Sequence, residues 1–414
     1  MRNKCKIFKR GRKQAGITLV ALVVTIVVLL ILAGVSLSLV LDNNGIITKA
    51  GDAKEEYGKA KENEQKDLDS AEDYINKMTG GGSGTDLLPS REDGSSTPYL
   101  PSSDYTLVSG TDFSNGLVIE DGSGNQYVWI EVPKTADVYG TDNLNITNFT
   151  DAELNTIKTK LIEYATDYRE SEYSDIWYDG CGVSQANYET MYNNMLESVY
   201  AHGGFWIGRY EMGIGPNRTS HTEIATDLIP TSKANQYPLT YVYCSEAQTL
   251  ASRVLPSGGK YTSSLMFGLQ WDLVLKYLET KETSQADLKT DSTNWGNYMK
   301  ASFTVTNTKA KYSENHGAGW KTITAAGYQK ASRESVLLTT GADETRNSKM
   351  NICDLAGNVI EWTLEYSSNS KFPCTERGGL YSLNNASAPA SYRNRSSTTR
   401  GEDAYRSACL TLLR

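Results

Sequence analysis

From Ile17 to Leu41 the chain runs for 25 residues without a charge, and most of them are Val, Leu or Ile. No other feature constrains the chain as strongly. At about 1.5 Å per residue a helix of this length spans a hydrocarbon core of roughly 30 Å. In water the same surface would drive association. The preceding 16 residues carry seven basic groups (Arg2, Lys4, Lys6, Lys9, Arg10, Arg12, Lys13) and no acid. Such a cluster stays on the cytoplasmic side of a membrane. The expectation is a single-pass membrane protein with everything after Asp42 outside the cell. An ordinary cleaved signal peptide is the alternative. Its apolar core usually runs to about 7–15 residues, shorter than this segment, and Ala33-Gly34-Val35-Ser36 is a weak cleavage candidate.

The junction Lys13-Gln14-Ala15-Gly16-Ile17-Thr18-Leu19-Val20 resembles the leader of type IV prepilins. There a basic leader ends in Gly and the mature chain begins with an apolar residue. The resemblance implies cleavage by a prepilin peptidase between Gly16 and Ile17, methylation of the new N-terminus, and retention of the apolar helix. The chain departs from the pilin pattern at the fifth mature position, where pilins carry Glu and this sequence has Ala21. A carboxylate in lipid is kept only for a function, so its absence argues against assembly into a filament.

Charge and composition narrow the partners. Removing the leader's seven positive charges from the net −8 leaves −15 on the rest of the chain. An acidic domain lacks the cationic face that phosphates require, which excludes nucleic acid. Tyr occurs 26 times against 7 Phe, a balance suited to wet binding surfaces. Cys181, Cys244, Cys353, Cys374 and Cys409 follow no CxxC or Cys/His metal spacing, and no connectivity follows from their order. His202, His221 and His316 lie far apart and form no HxH or HExxH pattern, which argues against a His-based metal enzyme.

Residues 42–79 form the expected stalk. Their acid–base pairs at helical spacing, Glu55–Lys59 and Glu62–Lys66, support an exposed helix, with a charged spacer as the alternative. Residues 80–103, rich in Gly, Ser and Pro, read as a flexible linker. From residue 104 to 414 the texture is that of a globular domain. Strands are expected at Gln126–Val132 and Gly204–Glu211, and helices at Asp151–Tyr168, capped by Thr150 or Asp151, and at Gln270–Thr280.

The most specific segment is Met350-Asn351-Ile352-Cys353-Asp354-Leu355-Ala356-Gly357-Asn358-Val359-Ile360-Glu361-Trp362-Thr363. It resembles the "GLYDMxGNVWEWT" motif of the formylglycine-generating enzyme (sulfatase-modifying factor) superfamily. Arg377-Gly378-Gly379-Leu380-Tyr381 matches that family's "RGGSY", and Tyr405–Leu410 stands where the family ends in "GFRxA". Phe205–Glu211 resembles the family's early strand, and Leu269-Gln270-Trp271-Asp272 echoes its "LPTEAEWE" helix. The likeness is strong over 351–381 and loose elsewhere. It implies an N-terminal transmembrane and stalk α-helix joined to a loop-rich α+β domain of the C-type lectin-like kind. It also implies a Ca²⁺ site on Asp354, Gly357, Val359 and Glu361; the alternative is a metal-free turn, with Asn358 bonding backbone and Trp362 filling the core. The family's copper-binding Cys pair, a few residues after the RGG motif, is absent: residues 381–388 contain no Cys. The three-His iron site of related sulfoxide synthases has no counterpart either. Without thiolate or imidazole to hold a redox metal, no redox cofactor is expected.

The polar run from Leu383 to Asp403 is built from residue types that serve adaptable binding surfaces. The expected ligand contacts are Tyr381, Asn384, Asn385, Tyr392, Arg393 and Arg395, and the expected partner is an extracellular glycan or protein. The reading is therefore a non-catalytic, membrane-anchored adhesin or ligand-display protein. The alternatives are an oxidoreductase of the formylglycine-generating type and a minor pilin subunit.

Overall fold

The computed structural model describes residues 88–222, 224–225, 227–255, 261–383, 388–399, 406–408 and 410–413, together with 24 and 26–29 of the apolar segment. The leader, the stalk, the Gly16/Ile17 processing site, Asn384 and Asn385 lie outside the described residues. By internal contacts the chain divides into two compact units, Met1–Gly84 and Thr85–Arg414. The second unit is described below.

Alternation of apolar side chains builds its first sheet. In Gln126–Glu131 the residues Val128 and Ile130 face the main core, while Tyr127 and Trp129 face a smaller one. Gly204–Gly208 repeats the pattern, with Phe205 and Ile207 on one side and Trp206 on the other. A strand with both faces buried reads as a continuous apolar run. Trp129 and Trp206 sit opposite each other in the antiparallel register, with ring centroids 5.0 Å apart at 65°. Six strands form this sheet, in the order Thr106–Leu107, Val118–Glu120, Gln126–Glu131, Gly204–Gly208, Leu410–Leu413, Thr262–Leu265. The C-terminal strand is thus inserted between two strands from the middle of the chain.

A second sheet carries the family-like motifs. Ile360–Ser367 pairs antiparallel with Cys374–Arg377, which pairs with Arg393–Ser396. On its other side Ile360–Ser367 takes Arg406–Ala408 in parallel and Tyr173–Ser174 antiparallel.

The helices form where capping and an apolar stripe coincide. Asp151–Tyr164 begins in a capping box: the Thr150 hydroxyl accepts from the Glu153 amide and the Glu153 carboxylate accepts from the Thr150 amide. It stops at Tyr164, short of the expected Tyr168, and a 3₁₀ turn covers Thr166–Tyr168. Gly268–Thr280 starts two residues before the expected position and is buried along most of its length. Gln185–His202, the longest helix of this unit among the described residues, was not expected. Its buried face uses Tyr188, Tyr192, Met195, Leu196, Val199 and Tyr200, so tyrosines take the positions where Leu and Ile usually announce a helix.

Two expectations are corrected here. The anticipated architecture, a transmembrane and stalk helix on an α+β lectin-like domain, does not hold: the described residues of the second unit are mostly β, with twenty short strands against six α-helices. No helix among the described residues is long and apolar enough to cross a membrane. The described part of the expected linker, from residue 88 to 103, is also packed. Ser96 and Tyr99 are buried, the Tyr99 ring lies edge-on 5.7 Å from Trp129, and Arg91 Nε donates to Glu131 Oε1 at 2.6 Å.

Candidate functional site

The motif turn is shaped by left-handed backbone. Met350, Asn351, Asp354 and Asn358 all have positive φ, as does Gly357 at 78°. A Cβ on Gly357 would come within 2.3 Å of the Asn297 carbonyl oxygen, so only glycine fits that crossing. Asn358 is the hub. Its Nδ2 donates to Glu211 Oε2 at 2.7 Å and to the Leu338 carbonyl at 3.3 Å, while its Oδ1 accepts from Asn297 Nδ2 at 3.0 Å and from the Leu338 amide at 3.1 Å. Trp362 fills the core and donates its indole N–H to the Val242 carbonyl at 3.0 Å.

Three carboxylates are buried around this hub. Glu211 Oε1 accepts from the Val359 amide at 2.9 Å, and Asp354 Oδ2 accepts from the Gly341 amide at 2.6 Å. Glu361 Oε2 has no hydrogen-bond partner among the described residues. Burial raises all three titrations, and their mutual repulsion adds to it for Glu211 and Glu361: Asp354 is pushed up to about 7, and Glu211 and Glu361 stand well above the usual carboxylate range.

The expected calcium set fits this turn in part. Glu361 Oε2 is a bare hard-oxygen donor. The point where a Gly378 Cβ would sit lies 2.6 Å from that oxygen and 2.8 Å from the Leu355 carbonyl oxygen. Asp354 already serves Gly341, while Gly357 and Val359, expected to offer backbone carbonyls, engage their amides with the Gly378 carbonyl at 2.8 Å and with Glu211, which leaves those carbonyl oxygens untouched. Among the described residues no three His, Cys, Asp or Glu side chains gather at a spacing that could hold a metal ion.

The expected ligand residues separate in space. Tyr381 is buried beside Leu337 and Val359, and its hydroxyl lies 2.7 Å from His316 Nδ1. Arg393 is buried in an ion-pair network, so neither residue offers a surface contact. Tyr392 and Arg395 are half-buried. Arg395 pairs with Glu172 and lies over the Tyr173 ring at 5.7 Å. Asn394, between them, donates to Glu376 Oε2 at 2.6 Å.

The network that claims Arg393 joins distant parts of the chain. Arg377 donates to Asp272 Oδ1 at 2.8 Å and to Glu365 Oε2 at 3.0 Å. Arg393 reaches the same two carboxylates at 2.7 and 3.2 Å and also donates to the Tyr168 carbonyl. Arg169 donates to Asp272 Oδ2 at 2.8 Å and lies 3.5 Å from Asp175. Three guanidinium groups thus face three buried carboxylates, Asp175, Asp272 and Glu365. Asp175 also accepts from the Gly268 and Leu269 amides, the first N–H groups of the Gly268–Thr280 helix. Burial of Asp272 opposes its charge, yet Arg393, Arg377 and Arg169 together hold its carboxyl below the usual range. Asp175 has less compensation, and burial pushes it up to about 6.

A second group of charges lines an open concavity of about 340 Å³ formed with Tyr164 and Thr280. Its two cations are already engaged: Arg91 and Lys281 both bind Glu131, at 2.6 and 3.1 Å. The histidines are dispersed as their spacing implied. His221 lies 3.0 Å from Glu246 and stacks on Tyr243, while His202 packs on Tyr99. The sequence reading singled out Asp272 and Arg377 as motif residues but carried no signal that they pair. Glu211 was placed in a strand, with no sign that it meets Asn358.

The chain matches no protein-family model and no curated protein.

Proposed function

We propose that this chain is a cell-surface display protein. In this reading the folded unit binds a glycan or protein ligand outside the cell, the uncharged segment 17–41 holds the chain at the membrane, and no reaction is catalysed. The observation that carries the reading is the division of labour along residues 392–396. Arg393 is locked into the buried network, while Asn394 and Arg395 on the same strand and Tyr392 just before it remain partly open. A rigid strand that presents a tyrosine and an arginine from a fixed base suits recognition, where these two residue types concentrate binding energy. The proposed contacts are accordingly Tyr392 and Arg395.

The resemblance of residues 351–381 to the formylglycine-generating family supplies the rival, an oxidoreductase. Glycan and protein arrays probed with the fragment from Thr85 onward test the binding reading. Alanine at Tyr392 or Arg395 should weaken any ligand at least tenfold, and unchanged affinity in both variants would refute the assignment. Aldehyde formation on a sulfatase-type Cys peptide, with copper and oxygen supplied, would establish the rival. Processing at Gly16 by a prepilin peptidase belongs to the same proposal. Mass spectrometry of the cellular protein should find Ile17 at the N-terminus, and Ser36 there would instead mean ordinary signal cleavage.

The bare Glu361 Oε2 favours a second reading for the motif turn, in which a Ca²⁺ ion sits against Glu361 and the Leu355 carbonyl. Hard oxygen donors suit that ion. Calcium should then raise the melting temperature of the wild type but not that of Glu361→Gln. An equal response in both would remove the ion from this position.

A further inference from the structure

Three thiols meet in the core without any part in the surfaces described above. Cys181, Cys244 and Cys374 are each fully buried. They come from three separate segments: the turn after Tyr178, the first residue of the Cys244–Ala251 helix, and the first residue of the Cys374–Arg377 strand. Tyr178 is their common neighbour. Its hydroxyl lies 3.4 Å from Cys244 Sγ, and its ring packs 5.7 Å from Tyr366, which is the residue paired with Cys374 across the sheet. Cys244 Sγ also approaches the Thr363 carbonyl at 3.8 Å, beside the irregularity between Thr363 and Tyr366 that turns this strand edge. Cys244 and Cys374 are both free thiols, and Thr363, which Cys244 touches, pairs across the sheet with Thr375, the residue after Cys374. Cys181 is directed elsewhere, with its Sγ 3.6 Å from the Val183 carbonyl.

We propose that Cys244 and Cys374 are a disulfide-forming pair, bridged when the chain folds in the presence of a small-molecule disulfide such as oxidised glutathione. The bond would tie the Cys244–Ala251 helix to the second sheet and close a loop across 130 positions of sequence. Chemically it forms by two exchanges. The Cys244 thiol loses its proton to solvent, and its thiolate attacks glutathione disulfide, forming a mixed disulfide and releasing one glutathione thiolate. The Cys374 thiolate then attacks Cys244 Sγ and expels the second glutathione. Two electrons and two protons leave the protein, and one disulfide is reduced to two thiols.

Timing follows from burial. In the folded chain both sulfurs are sealed from solvent, and the neighbouring Cys374 together with burial pushes the Cys244 thiol well above its ordinary range. A protonated, inaccessible thiol does not exchange. The bridge therefore forms during folding and not afterwards. The proposal is independent of the ligand and of the membrane topology, because the oxidant is supplied in the tube.

The test uses the full chain in detergent, reduced and unfolded, then refolded with reduced and oxidised glutathione. Free thiols are blocked with iodoacetamide in denaturant, bridges are reduced, and the released thiols are labelled with N-ethylmaleimide. Peptide mass spectrometry should find the maleimide on Cys244 and Cys374, with Cys181 blocked by iodoacetamide. Without the reduction step, a linked Cys244–Cys374 peptide should appear. Cys374→Ser should return Cys244 to the iodoacetamide pool while near-ultraviolet circular dichroism shows retained packing. Iodoacetamide on both Cys244 and Cys374 of the refolded wild type would overturn the proposal, as would a linked peptide joining either one to Cys181. Bridging at full yield when oxidant is added only after reduced refolding would overturn the argument on timing.

Discussion

Replacing Arg377 with Met tests the buried network most directly. Met preserves the unbranched stem that packs near Trp271, whose ring lies 5.4 Å from the guanidinium carbon, and removes only the charge and its donors. Two charge-assisted hydrogen bonds disappear, to Asp272 at 2.8 Å and to Glu365 at 3.0 Å, each worth about 1.5–3 kcal/mol. Arg393 and Arg169 still compensate Asp272, so part of the loss is recovered. Three carboxylates then face two guanidinium groups, and an unmatched buried charge costs about 3–5 kcal/mol. We expect a loss of that size at pH 7.5, measured by urea denaturation of the Thr85–Arg414 unit followed by tryptophan fluorescence. The excess negative charge also has an outlet. Asp175 titrates at about 6 in the folded chain, above its ordinary value, because of its burial. A carboxyl whose folded pKa is raised contributes stability at low pH and loses it as pH rises through the folded value. Removing Arg377 raises that value further, so the variant should recover part of its deficit at pH 5.5. Arg377→Lys should fall between wild type and Met, since it restores charge without the two-pronged geometry. A loss under about 1 kcal/mol for Arg377→Met at pH 7.5, or an equal deficit at both pH values, would refute the reasoning.

Three further outcomes follow from single contacts. Asp354, held at about 7 mainly by burial, carries a penalty of about 4 kcal/mol once fully ionised. Wild-type stability should thus decline between about pH 4 and 7, and Asp354→Asn, which keeps an acceptor for the Gly341 amide, should flatten that part of the profile in calorimetry. Gly378→Ala places a methyl 2.6 Å from Glu361 Oε2 at a φ of 90°, so a loss of at least about 2 kcal/mol is expected in chemical denaturation. Thr150→Ala removes the hydroxyl that caps the Asp151–Tyr164 helix and should cost about 1 kcal/mol, read from the denaturation midpoint.

What the sequence alone determined is local. The continuous apolar run Tyr127–Ile130 is that of a strand buried on both faces, because residues two apart share a side whatever the sheet around them. Thr150 and Glu153 announced a helix start, because a capping box closes within four residues. The left-handed backbone of Gly357 and Asn358 in the motif turn is local in the same sense, although the sequence reading did not draw it: the steric cost is paid inside the residue itself. What only the tertiary structure decided is which polar side chains face water. Arg393 lies in a run of Ser, Tyr, Arg and Asn that reads as surface, yet its partner Asp272 comes from a helix 121 positions earlier. Tyr381 looked like a binding residue until His316 took its hydroxyl and Val359 its ring. The Gln185–His202 helix hid its face in tyrosines, of which Tyr188 finds its acceptor only across the fold, at the Leu364 carbonyl. Arg393, Tyr381 and Tyr188 are each buried against a complementary group, which offsets the cost of leaving water, and that group is supplied by a segment far away in sequence, so no local pattern records it.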